Sequence, residues 1–288
     1  MIIVNKRLPG NTVELTITIP WKVIKSTYNK IHDELISNVE LSGFRKGKAP
    51  KELAEKQLDK TKIYEEVLKE MVPHVYADTV KQENLHPIIS PRIQVLVADI
   101  NQDWKIRAET CEAPEITLGK YQEAVTKLKQ AKGKKIWTPQ DKSSADQKKP
   151  EITVGELLDA LYTEIKVDLS HLILEQEVNR MLSRLVDELA KLGLSVEQYL
   201  TSHGKTSEIL RKEYEDEAQK TLSLEFALEK IADNEKVTIE NAEIDAVIKA
   251  AKTPSEQSGL EKQRYYIGSL LRRQKTLQKL LEPAIISV

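Results

Sequence analysis

The apolar residues of this 288-residue chain mix strand-like and helical spacing in its first part and keep only helical spacing in its last, and that division limits the folds open to it. Residues 13–19 (Val-Glu-Leu-Thr-Ile-Thr-Ile) alternate apolar and polar with β-branched enrichment, the period of two that marks a half-buried strand. Ile2 to Val4 offers a pairing partner, and Pro9, Gly10 and Asn11 supply turn chemistry between them, so a hairpin is expected. Pro20 closes the strand and suits the first turn of a helix, and Ile24, Tyr28, Ile31, Leu35 and Val39 then recur at helical spacing from Trp21 to about Leu41. A second helical stretch opens at Pro50 and Lys51. A third runs from about Tyr64 to Val80, with Pro73 expected to kink it. Two more strands, over 92–100 and 104–111, are joined by the polar turn at 101–103.

From residue 151 onward only the helical period remains. Thr153 and Glu156 stand at capping-box spacing ahead of Leu157, Leu158 and Leu161, and Ser195 and Gln198 repeat the pattern. Val178, Leu182, Leu185, Leu189 and Leu192 step along one helix face, and Gly193 is placed to end that helix. Leu210, Tyr214, Leu222, Leu228 and Ile231 mark a longer helix, followed by others through Ile244, Val247 and Ile248 and from Ile267 to Leu281. Between the two halves, residues 118–150 carry nine lysines against few acids, and 142–150 have the polarity of a loose linker. The expected fold is an α+β N-terminal domain of antiparallel strands and long helices, followed by an all-α, elongated multi-helix C-terminal domain. The divisions are 1–117, a lysine-rich arm or linker over 118–150, and 151–288.

Several functional classes drop out. A net charge of −1 means that any polyanion binding must come from a local cluster. One cysteine, Cys111, excludes an internal disulfide framework, and its place in a strand marks it as a small buried residue. No stretch approaches the ~18 apolar residues of a membrane span, and a cytoplasmic location is expected. His32, His74, His86, His171 and His203 lack metal-ligand spacing. Glu213, Glu215, Asp216 and Glu217 read as a solvated helix face. No catalytic residue, metal or cofactor is expected.

The segment Gly43-Phe-Arg-Lys-Gly-Lys-Ala-Pro50 carries the functional argument. Its two glycines permit positive backbone dihedrals and a tight reversal, and Pro50 starts the next helix. Between the glycines stand one aromatic, Phe44, and two cations, Arg45 and Lys46, with Lys48 and Lys51 alongside. Such a tip suits a polyanion with apolar crevices. Taken alone, a basic glycine loop is more often a solvated connection, and Phe44 could equally plug its own domain's core.

Gly-Phe-Arg-x-Gly-x-x-Pro is the ribosome-binding signature of trigger factor, the bacterial chaperone at the polypeptide exit tunnel, and it stands here complete as Gly43, Phe44, Arg45, Gly47 and Pro50. The surrounding hairpin, long helix, paired helices and closing strands resemble that family's docking domain over the first ~118 residues. The later helices resemble its chaperone body. Residues 167–177, followed by Met181, are similar to the start of its first long helix, with Ser170 and His171 where the family commonly has proline. Family members carry a prolyl isomerase domain between these parts. Here only the lysine-rich linker stands, and residues 128–137 resemble the arm that leads into that domain.

The resemblance implies an ATP-independent chaperone without isomerase activity. It would dock on the large ribosomal subunit, touching ribosomal RNA and protein at the exit tunnel, through Gly43, Phe44, Arg45, Lys46, Gly47, Lys48 and Pro50. Its helical body would shield nascent or unfolded polypeptides by transient hydrophobic contact, with no membrane partner and a homodimer left open. The rival readings are an RNA-binding assembly factor using the loop and the lysines, and a degenerate prolyl isomerase.

Overall fold

The computed structural model describes residues 1–38, 55, 60–133, 152–251 and 253–282. They belong to two compact units, Met1–Ala113 and Pro114–Val288.

The first unit is a four-stranded antiparallel sheet, β1 (Ile2–Leu8), β2 (Thr12–Ile19), β3 (Arg92–Val97) and β4 (Trp104–Cys111), in the order β1-β2-β4-β3. The hairpin joining β1 to β2 turns through Gly10 and Asn11, both at positive φ, a conformation that glycine and asparagine adopt at least cost. Alternation then sets the faces. Val13, Leu15, Ile17 and Ile19 of β2 and Trp104, Ile106 and Ala108 of β4 are buried on one side. Two helices, α1 (Trp21–Asn38) and α2 (Lys60–Gln82), cover that side with Ile24, Tyr28 and Ile31 and with Ile63, Val67 and Val75. α2 continues as one helix through Pro73 and stops at Asn84, whose φ of 51° lets Leu85 N–H return to Val80 O at 3.0 Å. β3 ends in a bulge between Val95 and Val97, an irregularity that the hydrophobic pattern did not signal. Cys111 is buried on β4, as its strand position implied.

The second unit is helical apart from one small ladder, in which β5 (Ile116–Thr117) pairs with β6 (Lys166–Val167). Its helices are α3 (Tyr121–Gly133), α4 (Val154–Glu164), α5 (His171–Lys191), α6 (Val196–Ser202), α7 (Ser207–Asn234), α8 (Asn241–Lys249), α9 (Pro254–Lys262) and α10 (Arg264–Leu281). The capping boxes at Thr153–Glu156 and Ser195–Gln198 are both formed. Ser170 caps α5 by accepting from Leu172 N–H at 3.2 Å. Gly193, at φ 70°, ends α5 with a Schellman pair, Leu194 N–H to Leu189 O and Gly193 N–H to Ala190 O.

The boundary between compact units falls at 113/114, whereas the sequence suggested 117/118. The reason is packing: Leu118, Tyr121 and Val125, just past the closing strand, are buried against Leu157, Leu161, Leu228, Ile231 and Leu280. The first part of the expected linker is therefore a helix with an apolar face. The Tyr121 hydroxyl donates to Glu235 Oε1 at 3.1 Å, and Lys279 Nζ lies 3.1 Å from Glu235 Oε2. Lys279, then the Gln122 and Tyr121 donors, hold the Glu235 carboxyl below its usual range.

Gly119 is required where it stands. Its φ is +54°, and a Cβ there would lie 2.4 Å from the Glu164 carbonyl oxygen. Gly119→Ala should cost the second unit about 2 kcal/mol or more, read as a lower urea midpoint with an unchanged slope. An unmoved midpoint would mean that this close approach is not made.

Candidate functional site

Gly43, Phe44, Arg45, Lys46, Gly47, Lys48 and Pro50 all lie outside the described residues. The described helices α1 and α2 precede and follow that stretch in the sequence. α1 starts where Trp21 N–H donates to Asp103 Oδ1 at 2.8 Å, tying the helix to the β3–β4 turn. Aromatic rings then clamp the helices to the sheet. Trp21 meets Tyr28 at 5.5 Å, Tyr28 meets Tyr64 at 6.2 Å, and Tyr64 sits edge-on to Trp104 at 5.7 Å between centroids. Burial, and the nearby Tyr64 hydroxyl, push the Tyr28 phenol up. Across the helix pair, Lys30 Nζ reaches Glu70 Oε1 at 3.0 Å. Both partners are largely exposed, so this bridge aligns the helices more than it stabilises them.

A second candidate surface belongs to the helical unit. Val186, Leu192 and Leu194 on and after α5, and Ile209 on α7, are exposed, with Leu192 at 73%. Leu182 and Leu185 of the predicted stripe are only half-buried. The periodicity that built a core over Val178 and Leu189 therefore runs on into solvent at the end of α5, leaving apolar surface that this unit does not use.

Further along, α7, α8 and α10 enclose a cleft of about 700 Å³. Val237, Ile239 and Ile244 line it, together with Arg264, Arg272 and Arg273. Tyr265 stands at its rim with 92% exposure. The sequence reading missed this cleft. The available signals were adjacent tyrosines at 265–266 and a glycine, Gly268, inside a helical period.

Among the described residues no group of three or more His, Cys, Asp or Glu side chains is arranged to hold a metal ion. No described helix is long and apolar enough to cross a membrane. The acidic run on α7 is surface: Glu213 pairs with Lys205 at 2.5 Å and Glu215 with Arg211 at 3.3 Å.

Comparison with known proteins agrees with this architecture. A family model described as bacterial trigger factor protein matches residues 1–136, and one described as the bacterial trigger factor C-terminus matches residues 138–285. The matches abut, with one residue between them. The trigger factor of Lactococcus lactis subsp. cremoris (strain MG1363) is 30% identical over 114 residues, 40% of this chain and 27% of that protein. The trigger factor of Streptococcus pneumoniae (strain Hungary19A-6) is 32% identical over 107 residues, 37% of this chain and 25% of that protein. The match thus spans about a quarter of the length of these curated relatives. A solved structure described as showing promiscuous substrate recognition in folding and assembly activities of the trigger factor chaperone superposes with a TM-score of 0.66 at 15% identity, over 98% of this chain and 99% of that one. At that identity the likeness speaks for the fold.

Proposed function

The chain belongs to the bacterial trigger factor family, and from that premise we propose that it is an ATP-independent chaperone of the cytosol that docks on the large ribosomal subunit beside the exit tunnel. Residues 1–117 would dock, 118–150 would serve as an arm, and 151–288 would shield nascent or unfolded chains. The observation that carries this reading is the complete Gly-Phe-Arg-x-Gly-x-x-Pro signature, set between α1 and α2. Gly43 and Gly47 would hinge the tip, Phe44 would fill an apolar crevice, and Arg45, Lys46 and Lys48 would meet phosphates of ribosomal RNA.

The helical unit would hold clients through apolar side chains that its own core leaves outside, such as Leu192, Leu194 and Ile209. Contacts of this kind are individually weak and lack directional demands, which favours exchange over sequence selection. No bond is made or broken. We also propose that the chain does not isomerise prolyl bonds, because the two family matches abut and leave no length of chain between them for the domain that would do it.

The test is co-sedimentation with large ribosomal subunits at graded salt, alongside suppression of aggregation of a denatured client. Four cations at and beside the tip give a log–log salt slope of about −3, so tripling the salt should weaken binding roughly thirtyfold. Failure of the protein to pellet with ribosomes at low salt would sink the docking assignment. Failure to slow client aggregation would sink the chaperone assignment.

A further inference from the structure

Residues 237–262, which carry α8 and α9, are attached to the helical unit differently from the helices around them. Among the described residues of this stretch only Val237 and Ile248 are buried, whereas α7 alone buries nine. None of it enters the apolar cluster that joins α3, α4, α7 and α10. Ile244 does approach α10, where a Cβ on Gly268 would lie 3.2 Å from its Cδ1. Beside that contact lies the cleft of about 700 Å³ in place of a packed core.

Polar groups on one face of α10 supply most of the attachment. Arg264 Nη2 lies 2.6 Å from Asp245, and its Nη1 lies 3.2 Å from Glu261. Arg272 donates from Nε to Val237 O at 2.9 Å, and Lys275 donates to Thr238 O at 3.1 Å. Lys275 Nζ also lies 3.0 Å from Glu243 Oε1. In the Asp245–Arg264 and Glu243–Lys275 pairs every side chain is 33–46% exposed, so water and salt reach both partners. Few buried apolar groups and solvent-reached bonds together mark a segment that opens ahead of its surroundings. Its two ends are corners: Lys236 at φ 51° after α7, and Gln263 between α9 and α10.

We propose that residues 237–262 form a strap that leaves α10 as one piece while α7 and α10 stay folded, and that ionic strength sets how often it does so. Opening turns about Lys236 and Gln263 and breaks the Asp245–Arg264 and Glu243–Lys275 pairs. It also takes away the side of the cleft formed by Val237, Ile239 and Ile244, so the cleft belongs to the closed state alone. The inference depends on neither ribosome docking nor client binding.

The experiment is hydrogen exchange of the full chain, read by mass spectrometry at low salt and at about 0.5 M salt, where charges are screened within a few ångströms. At low salt the strap amides should exchange at least about tenfold faster than those in the middle of α7 and α10. Each exposed pair is worth roughly a two- to fivefold change in an equilibrium, so the added salt should quicken the strap about fivefold and leave α7 unchanged. Glu243→Gln removes the charge but keeps a residue suited to the third position of the helix, and should quicken the strap about threefold at low salt. Lys275→Gln should do at least as much, and the double variant should match Lys275→Gln alone, because both changes break one pair. Arg211→Gln, which breaks the Arg211–Glu215 pair on α7, should leave the strap unchanged. Should Lys275→Gln loosen the whole unit, seen as faster exchange in α7, Glu243→Gln alone decides. Strap amides as slow as those of α7, a salt effect that is absent or shared equally by α7, or no response to Glu243→Gln would overturn the proposal. So would a double variant whose effect is the product of the two single ones.

Discussion

Replacing Phe44, Arg45 and Lys46 together by alanine is expected to abolish co-sedimentation with large ribosomal subunits while leaving the melting curve of the protein unchanged. Burying one phenylalanine is worth about 1.5–3 kcal/mol, and each charge-assisted contact adds about 1.5–3 kcal/mol. Losing all three should weaken docking by roughly a thousandfold or more, even after discounting for non-additivity. Stability should not follow, because α1 and α2 are fastened by residues on the helices themselves: Ile24, Tyr28 and Ile31 on one, and Ile63 and Val67 on the other. The measurement is a pelleting assay with a denaturation curve run in parallel. Wild-type pelleting by the triple variant would remove the tip from the docking account. A collapsed melting curve would show that Phe44 belongs to the core.

The second large effect is expected in the core of the first unit. Trp104 is 1% exposed, sits edge-on to Tyr64, and donates its Nε1 proton to Asp99 O at 3.0 Å. Trp104→Ala removes the ring that joins sheet to helices and leaves a cavity, at a cost of about 3–5 kcal/mol. Against a domain stability of about 5–15 kcal/mol this is a large share. The first unit should unfold at much lower urea, and ribosome association should fall with the folded fraction. The second unit, whose core does not include Trp104, should keep its helical ellipticity. Near-UV circular dichroism against far-UV signal separates the two. A first unit that melts like wild type would mean the aromatic clamp is not the keystone described above.

The elements that could be read in advance were those whose signal is local and periodic. The β1–β2 hairpin announced itself through alternation and a Gly-Asn turn, and the starts of α4 and α6 through capping boxes whose hydrogen bonds need only four residues. What escaped depends on partners far away in sequence. β5 and β6 are two residues each, too short to show a period, and exist only because Ile116 meets Val167. α3 was hidden by its lysines: composition suggested a solvated arm, while Leu118, Tyr121 and Val125 found apolar partners more than thirty residues later. Lys236, at φ 51°, ends α7 in a conformation for which a glycine would have been the readable sign. The Gly-Phe-Arg-x-Gly-x-x-Pro string was visible because it is contiguous. The cleft was not, because its wall is assembled from α7, α8 and α10.

The way α7 finishes has a consequence for how such a molecule is made. Three peptide carbonyls just beyond its end, those of Glu235, Val237 and Thr238, accept hydrogen bonds from Lys279, Arg272 and Lys275 of α10. The central core of that unit likewise waits for Leu280. On a chain synthesised from its amino end, the sheet and its two helices have everything they need by Ala113, whereas the helical body stays incomplete until α10 has been translated. A member of a chaperone family would then spend most of its own birth unfinished, with its N-terminal unit complete well before its helical one.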